Sequence, residues 1–141
     1  RAVASFASGP ARLGSEITVP GYSYEDRLPA PTLTFGTLED TKGLNGEAGL
    51  NRLALQSLPG DAGGAVLDGS GAVLGMLLPA APQGGKQLPA GVAFALPGAE
   101  ITRILTPTGT TLLPATNSSA LSPAALADTA TGMTALVSCW E

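Results

Sequence analysis

Leu58-Pro59-Gly60-Asp61-Ala62-Gly63-Gly64-Ala65-Val66-Leu67-Asp68 is the stretch on which the reading of this chain turns. Gly60 and the Gly63-Gly64 pair admit backbone angles barred to other residues and let neighbouring chains approach closely. A loop of this kind can aim successive N–H groups at one point and hold an anion or a carbonyl oxygen. The plainer reading is a tight turn before a strand. Spacing alone leaves both open.

Outward from that loop, strand-like runs recur with turn residues between them. Upstream, Glu16-Ile17-Thr18-Val19 alternates and ends at Pro20-Gly21, Thr32-Leu33-Thr34-Phe35 runs into Gly36, and Arg52-Leu53-Ala54-Leu55-Gln56 alternates again. Downstream, Ala65 to Leu67 and Ala72 to Leu78 flank Asp68-Gly69-Ser70-Gly71, which reads as a hairpin. A further arm runs from Gly91 to Leu96 and stops at Pro97-Gly98. Half a dozen short strands at this spacing predict an all-β barrel or sandwich. Ile101, Ile104 and Leu105 have helical spacing and predict a short helix over 99–105. Residues 106–121, rich in Thr and Pro, read as a linker. Ser122-Pro123 has the pattern of an N-cap followed by proline at the first helical position, opening a helix to about Thr129. Thr134 to Ser138 reads as a terminal strand, so 122–141 forms a helix-strand extension.

Composition narrows the classes. Glycine (19) and proline (12) approach a quarter of the 141 residues, which favours short elements joined by turns. Charged residues are only 13% against 44% hydrophobic, a globular balance. The net charge of −4, with scattered Lys and Arg, argues against nucleic acid as a partner. No run reaches the roughly 18–20 apolar residues that span a bilayer. Arg1-Ala2-Val3 lacks the head of a signal peptide, consistent with a cytosolic chain or with a piece already processed. The chain has one cysteine, Cys139, so it can form no internal disulfide and no zinc-cysteine cluster. It has no histidine, and so lacks the commonest general base and the commonest transition-metal ligand. No cofactor or metal is expected.

With the flanking runs in place, the loop resembles the Gly-Asp-Ser-Gly-Gly-Pro-hydrophobic motif of trypsin-like serine proteases. Gly21-Tyr22-Ser23 and Pro31 to Gly36 resemble early strands of that fold's second barrel. Gly71 to Met76 is similar to the strand pair after the nucleophile. Gly91-Val92-Ala93-Phe94-Ala95-Leu96-Pro97 is similar to the Gly-Ile-Gly-Phe-Ala-Ile-Pro run of bacterial high-temperature-requirement proteases. Taken in order, these cover roughly residues 3 to 105. The resemblance implies a six-stranded antiparallel Greek-key barrel over 1–105, the C-terminal half of a double barrel, with a short helix and strand at the C-terminus. It also favours an extracytoplasmic compartment, periplasmic or secreted.

In that family the residue after the Asp is the attacking serine. Here it is Ala62, whose methyl group has no lone pair to attack with. The family's His and Asp lie on the first barrel, so every member of the triad is missing from this chain. The resemblance gives the backbone N–H groups of Gly60 and Ala62 the oxyanion hole, which needs no serine side chain. It places Gln56 and Ser57 at the base of the primary specificity pocket, and no acidic residue there supports a preference for Lys or Arg. Val92, Ala93 and Phe94 would offer a strand edge to an extended peptide, or would simply be a paired, buried strand. In trypsin the residue matching Asp61 pairs with a freed N-terminus, but Arg1-Ala2-Val3 does not resemble that sequence; more plainly, Asp61 caps its turn.

The implied partners are an extended peptide or protein substrate and a first barrel carrying His and Asp. Three functions follow: the substrate-binding half of a serine endopeptidase, inactive at Ala62; a natural pseudoprotease that binds peptides or scaffolds; or a structural domain assembling through 122–141. A second barrel alone should expose an apolar face, and 122–141 is placed to cover it. Gly69-Ser70-Gly71 is no dinucleotide fingerprint, because no βαβ unit surrounds it. Glu25-Asp26 and Glu39-Asp40 read as solvated loop carboxylates, and Cys139-Trp140 as packing residues.

Overall fold

The computed structural model describes residues 2–24, 27–80 and 88–140; Glu25 and Asp26 lie outside the described residues. Alternating runs become strands wherever turn residues bound them. In chain order these are β1 (Ser5–Phe6), β2 (Glu16–Gly21), β3 (Thr32–Asp40), β4 (Asn51–Ala54), β5 (Ala65–Leu67), β6 (Val73–Leu77) and β7 (Val92–Pro97). Helix α1 (Gly98–Leu105), a 3₁₀ turn at Thr106–Thr108, β8 (Leu113–Pro114) and helix α2 (Pro123–Met133) follow.

The strand order is β5-β2-β3-β4-β7-β6, and β5 pairs again with β6, so the sheet closes on itself. Each of these pairings is antiparallel. The chain passes from β4 into the β5–β6 hairpin and returns as β7 beside β4, which is a Greek-key path. Closure gives each of the six strands a neighbour on both sides. The expected barrel is therefore present.

Strand period decides which side chains fill it. In β4, Asn51 and Leu53 are buried while Arg52 and Ala54 are half-exposed. Ile17, Val19, Leu38, Leu53, Leu55, Val66 and Leu77 meet as the interior cluster. β2 departs from one-sided burial, since every residue from Ile17 to Gly21 is buried. Its outer side is covered as well, because α2 packs against it.

Helix α2 begins as its sequence predicts, with Ser122 Oγ accepting from Ala125 N–H at 3.2 Å and proline in the first turn. It runs past Thr129 to Met133 because the added turn has an apolar surface to cover. Ala130, fully buried, sits with Leu67 and Val73, and Leu126 and Met133 pack around them. The C-terminal extension thus covers one outer face of the barrel.

Three expectations need correction. Residues 106–121 are more than a linker: β8 pairs in parallel with β1, which in turn pairs with β6, and Ala115 N–H donates to Phe6 O at 2.8 Å. The run Thr134 to Ser138 forms no strand. Alternation gives a strand only where a neighbouring strand offers hydrogen bonds, and Thr134 to Ser138 pairs with none. Leu136 and Val137 are exposed, Cys139 is exposed, and Trp140 is 92% exposed, so the last two do not pack as expected. Among the described residues, no helix is long and apolar enough to cross a membrane.

Candidate active-site loop

The loop between β4 and β5 is tied down from inside. Asp61 is 1% exposed. Its Oδ2 accepts from Leu58 N–H at 2.8 Å, and its Oδ1 accepts from the Ser23 hydroxyl. Ser23 Oγ also lies 2.9 Å from Thr32 Oγ1, which reaches back to Gly21 O. The carboxylate therefore staples the loop to the end of β2 and the start of β3. This is the turn-capping role, extended by a long-range anchor. Ser23 and Thr32 gave no local signal of it, because the partner lies 38 positions away in the chain.

Backbone bonds complete the frame. Tyr22 N–H donates to Gly60 O at 3.2 Å, Gly63 N–H donates to Leu77 O at 2.8 Å, and Gly64 N–H donates to Asp61 O at 3.0 Å. Gly60 has φ +91°, and a Cβ there would run into the Tyr22 carbonyl. The position admits glycine only. Gly63 also has positive φ, +86°, but open space lies where its Cβ would be.

Against this frame two donors stand out. Among the described residues, the N–H groups of Gly60 and Ala62 make no hydrogen bond. Both residues line one cavity of about 450 Å³, with Pro20, Tyr22 and Gly64 on the same wall. Ala62 is exposed there. The loop is thus a turn anchored through Asp61, with Gly60 and Ala62 bordering a cavity and their amides unpaired among the described residues. It can accept hydrogen-bonding oxygen, and it carries no nucleophile.

Gln56 is exposed and Ser57 half-buried on the approach to the loop. Val92, Ala93 and Phe94 are interior to the sheet. They pair with Ala54, Leu53 and Arg52 of β4, and Ala93 and Phe94 are each 4% exposed. On the other side Leu78 N–H donates to Phe94 O at 2.8 Å. All three are paired on the β4 side, and Phe94 is bonded on both sides. The far wall of the cavity was not foreseen: it is formed by Met133 to Val137, the segment after α2. Among the described residues no group of His, Cys, Asp or Glu is placed to hold a metal ion.

A closed Greek-key barrel with a Gly-Asp-x-Gly-Gly turn between its third and fourth barrel strands has the trypsin-like serine-protease fold. Solved structures similar to this chain bear that out. Rv3671c from M. tuberculosis H37Rv, as an inactive serine-to-alanine mutant, shares 26% identity with a TM-score of 0.58, over 77% of this chain and 54% of that one. The active form of the Rv3671c protease shares 24% with a TM-score of 0.58, over 81% of this chain and 51% of that one. The serine endoprotease of Yersinia pestis shares 20% with a TM-score of 0.57, over 74% of this chain and 35% of its own. The chain spans about half the length of the Rv3671c chains it matches. No protein-family profile and no curated protein sequence matches it.

Proposed function

We propose that this chain is the substrate-binding and oxyanion-hole half of a trypsin-like serine endopeptidase, in a form unable to make the acyl-enzyme. The observation that carries the reading is the pair of amides, Gly60 and Ala62, without a partner among the described residues, both bordering one cavity in a loop stapled through buried Asp61. In the complete enzyme a serine at position 62 adds its Oγ to the scissile carbonyl carbon while a histidine on a first barrel takes the hydroxyl proton. The carbonyl π pair moves to oxygen, which the two N–H groups hold. Collapse breaks the C–N bond, and the histidine returns the proton to the leaving amine. Here the sequence stops at the first step, because Ala62 offers no oxygen.

Gln56 and Ser57 border the side-chain pocket in this reading, and Val92 to Phe94 form its back wall rather than a free edge. The partners are an extended peptide and a first barrel supplying His and Asp. The test is reconstitution. The chain carrying Ala62→Ser, joined to or mixed with a barrel that bears those two residues, is treated with a serine-directed phosphonate. Covalent labelling at residue 62 is the expected result; a folded, completed protein that takes no label removes the proposal.

One observation favours a second reading, a pseudoprotease that binds without cutting. Met133 to Val137 already lie along the cavity beside Ala62, as a bound chain would. Calorimetric titration of the unmodified chain with extended peptides separates the two, since a pseudoprotease binds them with no partner barrel present.

A further inference from the structure

The opposite end of the barrel holds a second cavity, of about 680 Å³, which shares no lining residue with the one beside Ala62. Its position follows from topology. β4 starts at Asn51 and runs towards the Gly60 loop, whereas β7 starts beside Ala54 and ends at Pro97, where α1 begins. Asn51 and the start of α1 therefore share the end of the barrel remote from the loop, and both line the cavity.

Asn51 is the unusual residue. Period-2 alternation with Leu53 turns its side chain inward, and it is only 5% exposed. Among the described residues its side-chain amide makes no hydrogen bond, yet no fully buried side-chain polar atom lacks a partner. Asn51 lines the cavity.

A second set of donors faces the same space. Pro97 precedes α1 and no side chain caps the helix, so its first-turn N–H groups have no partner within the helix. Glu100 stands at the rim, with Oε2 taken by Arg103 Nε and Nη2 at 3.0 and 2.9 Å and Oε1 left over. That carboxylate repels a second anion despite the helix N-terminus. Phe6, Leu13, Leu74 and Pro97 supply apolar wall.

We infer that this barrel-end cavity is a binding site for a short neutral peptide segment with an apolar side chain. The match is chemical. An amide carbonyl meets the helix N–H groups, an amide N–H meets Asn51 Oδ1 or Glu100 Oε1, and Asn51 supplies both a donor and an acceptor. The volume suits a ligand of two or three residues. The site is independent of the protease reading, because it uses neither the Gly60 loop nor a partner barrel.

The test is an amide-resolved NMR titration of the 141-residue chain with N-acetyl-leucine amide, and in parallel with N-acetyl-leucine, whose carboxylate is charged. The expected result is saturable shifts of the Asn51 side chain and the Gly98 and Ala99 amides, with Gly60 and Ala62 unmoved. The charged probe should bind more weakly. Asn51→Leu should weaken binding about tenfold, one lost hydrogen-bonded amide. Ala99→Trp, at an exposed rim position, should block the cavity without touching the core, and it keeps the test open should Asn51→Leu fail to fold. No saturable shift at Asn51, shifts confined to Gly60 and Ala62, tighter binding of the charged probe, or an Ala99→Trp protein that binds unchanged would each overturn the inference.

Discussion

Asp61 and Gly60 fix the shape of the loop between β4 and β5. Asp61→Ala strips the acceptor from Leu58 N–H and from the Ser23 hydroxyl inside a buried site. Ser23 can turn its hydroxyl to Thr32 Oγ1, so one donor, Leu58 N–H, is left unmet at a cost of about 1–3 kcal/mol, and urea unfolding should report that loss. Gly60→Ala forces both a left-handed backbone and a collision with the Tyr22 carbonyl, whereas Gly63→Ala bears the backbone strain alone. The strain is worth about 1–2 kcal/mol, so Gly60→Ala should be clearly the more damaging of the two in the same assay. Ala62→Ser, at an exposed position, should shift stability by less than about 0.5 kcal/mol. Charge tells a similar local story at Glu47. Backbone N–H donors, its own first and then that of Asn45, together with the Asn45 side chain, hold its carboxyl below the ordinary carboxylate range. A lowered folded value means the contribution is present above the unfolded carboxylate's pKa and is lost as pH falls through the folded value. In a carbon-detected NMR titration Glu47 should therefore titrate lower than an ordinary glutamate, and the Asn45 amide should shift with it.

Among the elements, the strands that were easiest to read in the sequence are those whose period answers to one face. β4 and β6 alternate in burial along their length, and turn residues mark their ends. What could not be read was set by partners distant in the chain. Thr134 to Ser138 has strand composition but meets no edge. Leu113–Pro114 has poor strand composition yet pairs, because β1 lies beside it. The candidate loop was legible through its glycines and Asp61. Its anchor on Ser23 and its roof from Met133 to Val137 were not, since no local pattern encodes a contact made by closure of the barrel. The start of α2 is the opposite case, a local signal that holds. Ser122→Ala removes the one side-chain cap of that helix, at a cost of about 1 kcal/mol. Ala130→Leu is a harsher change. It puts three more carbons between Leu67 and Val73, where the alanine is already fully buried, and should cost about 1–3 kcal/mol. Both effects should appear as shifts in the urea midpoint with the slope unchanged.

For the molecule as a whole, the segment after β8 does two separable things, and truncation can part them. Helix α2 covers Leu67 and Val73, which the barrel alone would leave facing solvent. Ending the chain after Leu121 therefore removes α2, with Leu126 and Met133, from over Leu67 and Val73. Each buried Leu or Val contributes about 1.5–3 kcal/mol, so this chain should lose about 3 kcal/mol or more and bind a dye for exposed apolar surface. Ending the chain after Thr134 keeps the helix and its last side-chain bond, from Thr134 Oγ1 to Ala130 O at 2.7 Å. It removes residues that bury little, Val137 being 86% exposed. Stability should then stay within about 0.5 kcal/mol, while the cavity beside Gly60 and Ala62 loses its far wall. If that wall occupies the place of a bound chain, an extended peptide should bind the shortened protein more tightly than the full one. Calorimetry on the two side by side decides it: equal affinities would mean that Met133 to Val137 border the cavity without competing for it.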